Sequence, residues 1–313
     1  MRMATKDYVP VAMDDWYQRR RRDDEGKFFR SVADQGPRKG AGGSTRQGIY
    51  MLTADGKLLA YKNAGQAPDI MRDELKRGLR EWRKLPEARR KPGAVKVPDH
   101  GKVDAYFTRT PPAGALVVKT WTRILDKDGD GWKRGTCDSP GADKATRDHL
   151  WVTAAEWKSM LPADPKKGGK AEFPKALAER ILRFHLADGT RGEPPLWSRE
   201  EIRRQEWSLA VDEATESAVS LKLEGSALLE TKGKERGYDV RLAGRIRYDR
   251  AKKAVTAFDL VAVGDHWGEG HFTKGARPGK QPLGVAFALA KPEDTGIVPP
   301  QATKAVGYEY AGR

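Results

Sequence analysis

His266, Glu269 and His271 fall within six residues, in Asp265-His266-Trp267-Gly268-Glu269-Gly270-His271. Two neutral imidazoles and a carboxylate are a donor set that suits zinc. With a bound water, such a centre would serve a metal-dependent hydrolase built on the 265–271 loop. The spacing matches no helical metalloprotease motif, and the interleaved glycines equally predict a structural loop in which Trp267 anchors to a sheet. Asp126-Lys127-Asp128-Gly129-Asp130-Gly131 reproduces the first half of a calcium loop, with Asp126, Asp128 and Asp130 at alternate positions and a glycine for the sharp turn. The second half fails, because the twelfth position, where a bidentate carboxylate belongs, is Cys137. Arg241, Arg245 and Arg247 alternate with apolar residues and would form an anion-attracting stripe on one strand face, or a solvated face that discourages edge pairing. Cys137 is the single cysteine, so disulfide and multi-cysteine metal chemistry are excluded. No nucleophile, base and orienting group recur at a spacing that identifies a catalytic site. No catalytic residue is assigned, and the expectation is a protein without enzymatic activity and without an obligate cofactor, calcium and zinc being the two ions its motifs could take.

The elements that must position these residues are read from periodicity. Val240, Leu242, Gly244, Ile246 and Tyr248 alternate with polar residues, a turn rich in Lys and Arg follows, and Thr256, Phe258, Leu260 and Ala262 resume the alternation. Strands are also expected around Trp207 to Val211, Val219 to Leu229 and Leu283 to Leu289, giving five sequential amphipathic strands, an antiparallel meander or small barrel. Helices should cover its inner face. Thr153 with Glu156 and Ser198 with Glu201 are capping boxes, and Leu177, Ile181 and Phe184 share one face of a helix over 173–186, which places His185 beside that face as a buried structural histidine. No βαβ order or Gly-rich phosphate loop is present, which removes dinucleotide-binding architectures.

The N-terminal third is more basic than the rest, with 25 Lys+Arg against 15 Asp+Glu over residues 1–112 out of a net charge of +15. The excess admits non-specific nucleic-acid or polyanion binding, although Arg19-Arg20-Arg21-Arg22 runs directly into Asp23-Asp24-Glu25 and should be locally neutralised. A strand over 8–13, a charged helix over 18–33, a hairpin around Ala54-Asp55-Gly56 and an amphipathic helix over 69–85 follow in order. With its Tyr50-Met51-Leu52-Thr53-Ala54-Asp55-Gly56-Lys57-Leu58-Leu59 hairpin, this order resembles the second half of a thioredoxin-like domain. The resemblance covers about residues 7–85 and implies a fold without an activity. The strands and Cys-x-x-Cys helix that open that family's domain would lie upstream of residue 1, and Ser44-Thr45-Arg46-Gln47-Gly48, just before the hairpin's first strand, holds no proline. The whole order also resembles a bacterial family in which such a segment is fused to a β-rich domain.

The expected organisation is therefore α+β. A partial thioredoxin-like α/β segment over 1–86 is followed by a basic, proline-containing linker over 87–112. An α+β domain with an antiparallel sheet covers 113–313. The strand over 116–125 is a candidate to complete the sheet of the first segment. No apolar run of about 18 residues exists to span a membrane. A cytoplasmic location is the default expectation, or a secreted or periplasmic one were a segment to precede Met1. The function expected is non-catalytic binding or scaffolding, with an anionic ligand or a protein as partner.

Overall fold

In the computed structural model the described residues are 2–39, 45–63, 67–95, 110–133, 141–294, 299–303 and 310, so Cys137 and most of the linker lie outside them. The chain divides into two compact units, Met1–Thr108 and Arg109–Arg313, and the division falls inside the stretch expected as linker. Each is described by itself.

Unit 1 places three helices, α1 (Arg2–Asp7), α2 (Asp15–Arg20) and α3 (Asp24–Ala33), before a hairpin of β1 (Ile49–Leu52) and β2 (Leu58–Lys62). The long helix α4 (Pro68–Arg83) and the short α5 (Glu87–Arg90) follow. The Asp-Gly hairpin and the amphipathic helix thus form where periodicity placed them. The expected strand over 8–13 does not form. Val9, Val11 and Met13 are 89%, 71% and 54% exposed, so this segment has no apolar face to bury against a sheet. Close packing of α4 on the hairpin depends on Gly78, where a Cβ would approach the Tyr8 hydroxyl to 2.6 Å and the Met51 Cβ to 3.1 Å. Two arginines of the basic run are paired locally. Arg21 is buried and bonds Asp23 and Glu25, while Arg19 lies 3.7 Å from Asp15. Asp23 also caps α3 by accepting from the Gly26 amide.

Unit 2 is an antiparallel sheet of eight strands. They are β3 (Leu116–Ile124), β6 (Ala145–Val152), β7 (Lys170–Ala171), β8 (Ile202–Ala214), β9 (Ala218–Glu230), β10 (Gly237–Asp249), β11 (Ala254–Trp267) and β12 (Gln281–Leu289). A separate small hairpin pairs β4 (Lys127–Asp128) with β5 (Gly131–Trp132). The spatial order is β6-β3-β12-β11-β10-β9-β8-β7. The five sequential strands β8 to β12 form the expected meander, and among the described residues the sheet is open, with β6 and β7 at its margins. The strand over 116–124 pairs with β12 and β6, so it completes this sheet and not that of unit 1. Its alternation matched either sheet; the partners on both sides decide.

One face is covered by α6 (Ala154–Ser159), α7 (Lys175–Arg180) and a π-helical turn (Ile181–His185). Leu177, Ile181 and Leu182 from this layer join Leu221, Leu223, Leu242, Phe258 and Val285 from the sheet in one apolar core. Thr153 and Glu156 form the expected capping box of α6. Ser198 and Glu201 form a capping box as well, but it closes only a single 3-10 turn (Arg199–Glu201), because β8 starts at the next residue. Gly244 and Gly264 fall on the covered face, where a Cβ would come within 2.4 Å of the Asp259 carbonyl oxygen and 2.0 Å of that of Asp239. The neighbouring strands come too close at these points for any side chain.

Candidate functional site

His266, Glu269 and His271 are directed to three different places. β11 continues through Trp267, so His266 is a strand residue paired with Tyr238 and turned toward the covered layer. Glu269 accepts hydrogen bonds from the amides of Gly275 (2.8 Å) and Ala276 (3.3 Å) and pairs with Lys274 at 2.9 Å. These donors hold its carboxyl down at about 2. His271 is exposed, its ring 4.5 Å from that of Phe272. Asp126, Asp128 and Asp130 belong to the β4–β5 hairpin, where Asp128 and Asp130 are exposed and Asp126 accepts from the Lys127 amide. Among the described residues no three His, Cys, Asp or Glu side chains are gathered around a point that could hold a metal ion. Calcium is accordingly expected to leave the thermal midpoint unchanged up to roughly millimolar concentration. A saturable rise that disappears in Asp128→Ala would contradict this.

The three arginines of β10 do lie on the wet face, and they serve different neighbours. Arg245 pairs with Asp212 at 2.7 Å, Arg247 reaches Ser220 at 3.4 Å, and Arg241 lines an open groove.

Two polar clusters occupy the covered side. In the first, Arg180 donates to the Trp151 carbonyl (3.1 Å), the Tyr310 carbonyl (2.5 Å) and both carboxylate oxygens of Glu156 (2.8 and 3.0 Å). His185 Nε2 lies 2.5 Å from the Tyr310 hydroxyl and its Nδ1 lies 3.2 Å from Asp148 Oδ2. The His185 side chain is completely buried and the Tyr310 residue is 1% exposed, so this Asp-His-Tyr chain has no room for a substrate and acts as internal fastening. In the second, His266 borders a cavity of about 20 Å³ with Asp188, Arg191 and Arg277. Burial, with Arg191, Arg236 and Arg277 nearby, lowers the imidazole to about 4 despite the opposing Asp188, so His266 is neutral at pH 7.

Two open grooves flank one strand. β7 pairs only Lys170 and Ala171 with Ala210 and Leu209, after which Pro174 opens α7. Residues 202–208 of β8 therefore have β9 on one side and, among the described residues, no strand on the other. On the covered side of this free edge is a groove of about 820 Å³ lined by Gln205, Trp207, Phe173 and Ala178, with Lys175 and Glu179 above them. The Phe173 and Trp207 rings stack at 4.8 Å. On the wet side is a groove of about 810 Å³ lined by Arg204, Glu206, Ser208, Ser226, Asp239 and Arg241. Sequence reading found Trp207 as a strand residue but not the edge, which depends on where β7 ends. Pro174, which cannot donate to a ladder and opens a helix, was the available signal. Comparison of the chain with protein-family models, with curated proteins and with solved structures gives no match in any of the three.

Proposed function

We propose that unit 2 is a non-catalytic binding module that receives an extended polypeptide segment along the free edge of β8. The observation that carries this reading is the pair of grooves on the two sides of residues 204–208, sharing Trp207. Strand addition to a sheet edge derives affinity from main-chain hydrogen bonds and selectivity from pockets for alternate side chains, and a groove on each face supplies such pockets. The bulge between Ile202 and Arg204 and the charges of Arg203, Arg204 and Glu206 guard the edge against indiscriminate pairing. They also specify what fits.

In an antiparallel arrangement the incoming residues meet Glu206, Gln205 and Arg204 in that order. Residues directly opposite one another share a face. The first should be basic, the second should be apolar to enter the Phe173–Trp207 groove, and the third should be acidic. A displayed library of extended peptides is expected to yield this basic-apolar-acidic order on the wild-type protein. The double variant Arg204→Glu with Glu206→Arg, both at exposed positions, should reverse the order to acidic-apolar-basic. Enrichment that ignores the swap, or no enrichment at all, would contradict the reading.

A further inference from the structure

The small cavity beneath the ends of β11 and β12 is only partly closed and mixes polar with apolar lining, and its charged residues, Asp188, Arg191 and Arg277, do not balance. Arg191 and Asp188 pair at 2.8 Å with side chains each 4% exposed, and they cancel one another. Arg277 has no carboxylate partner among the described residues, its guanidinium donating to the carbonyls of Leu125 (2.9 Å) and Pro282 (2.7 Å). Arg277 is half-buried, and an anion at the cavity would supply the counter-charge it lacks. His266 faces the same cavity, and neither ring nitrogen has a hydrogen-bond partner among the described residues, which leaves one N–H donor unused.

The geometry points to a binding site for a single chloride-sized anion in the cavity between His266 and Arg277. Size and charge select this class of ligand. About 20 Å³ of space for water-sized particles favours a small anion over phosphate or sulfate. Of the guanidiniums that act on His266, Arg191 is paired with Asp188 and Arg236 lies 3.9 Å from Glu201, so Arg277 supplies the uncompensated charge and the local field disfavours a cation. Leu283 and Ile124 complete the wall and keep the local dielectric low, which strengthens the pairing of an anion with the guanidinium.

Bromide is the probe, because it replaces chloride in size and charge and scatters anomalously. Crystals of the full chain soaked in sodium bromide should show an anomalous peak between His266 and Arg277. In solution, excess line broadening of the chloride resonance should appear with the wild-type protein. It should weaken about tenfold in affinity in His266→Phe, and likewise in Arg277→Gln, as expected for loss of one hydrogen bond to an ion. Far-ultraviolet circular dichroism confirms that each variant is folded before the comparison is made. A cavity that holds only water in bromide-soaked crystals, or broadening that is equal in wild type and both folded variants, overturns the assignment.

Discussion

Tyr310→Ala is expected to destabilise unit 2 by about 3–5 kcal/mol, the range for removing a large buried aromatic side chain. The ring is 1% exposed and packs edge-on against Trp151 at 6.1 Å and beside Phe184 at 5.7 Å. Its loss would leave a void between β6 and the π-helical turn and would strip His185 Nε2 of its hydroxyl partner. Tyr310→Phe separates the two contributions. It keeps the ring and orphans only the His185 nitrogen, at about 1–3 kcal/mol. Urea unfolding measures both, and an unchanged slope with a lowered midpoint shows that stability and not the unfolded state has changed. A Tyr310→Ala midpoint equal to wild type would mean that Tyr310 does not dock where described.

The second large effect is a loss of acid stability centred on His266. Its folded-state value of about 4 lies below the ordinary 6.5, so the unfolded chain binds a proton over a range where the folded chain does not. The sign follows directly. Stability contributed by the neutral buried imidazole is complete above pH 6.5, falls as pH drops, and is lost by about pH 4. One pKa unit corresponds to about 1.4 kcal/mol, so the loss approaches about 3 kcal/mol. Asp188, Arg191, Arg236 and Arg277 all act on this group, and none of them changes charge between pH 6.5 and 4 as held here. His266→Gln removes the titration, so its stability curve should be flatter than wild type by that amount between pH 6.5 and 4. The comparison belongs in chloride-free gluconate buffer, because a bound anion would favour the imidazolium and shrink the difference. Parallel curves for wild type and variant would contradict the placement of His266.

The meander was legible because each strand carries its own alternation and each hairpin its own turn. β10 and the first part of β11 needed nothing beyond their sequence. The alternation of β11 in fact continues through Ala262, Gly264 and His266 on one face. Reading the strand as ending at Ala262 left His266 in an apparent loop beside Glu269 and His271, where the three resembled a ligand set. Gly264 hid the continuation, since it has no side chain to mark the face, and the close approach of the Asp239 carbonyl that requires it is a long-range fact. Leu116 to Ile124 shows the same limit. Its pattern announced a strand, while its place between β12 and β6 depends on segments about 30 to 170 residues away in sequence. Tyr310 carried no local signal, because the contacts that hold it among the described residues come from β6, α7 and the π-helical turn. The β8 edge was hard to see for a related reason, since it depends on where β7 stops, and Pro174 was its one local mark.

Backbone hydrogen exchange across unit 2 reads out strand addition at β8. With a basic-apolar-acidic peptide bound, slowed exchange should be confined to edge-facing amides within residues 202–208, with the amides facing β9 unchanged. Slowing elsewhere, or peptide binding that leaves residues 202–208 exchanging at their free rate, would contradict the account.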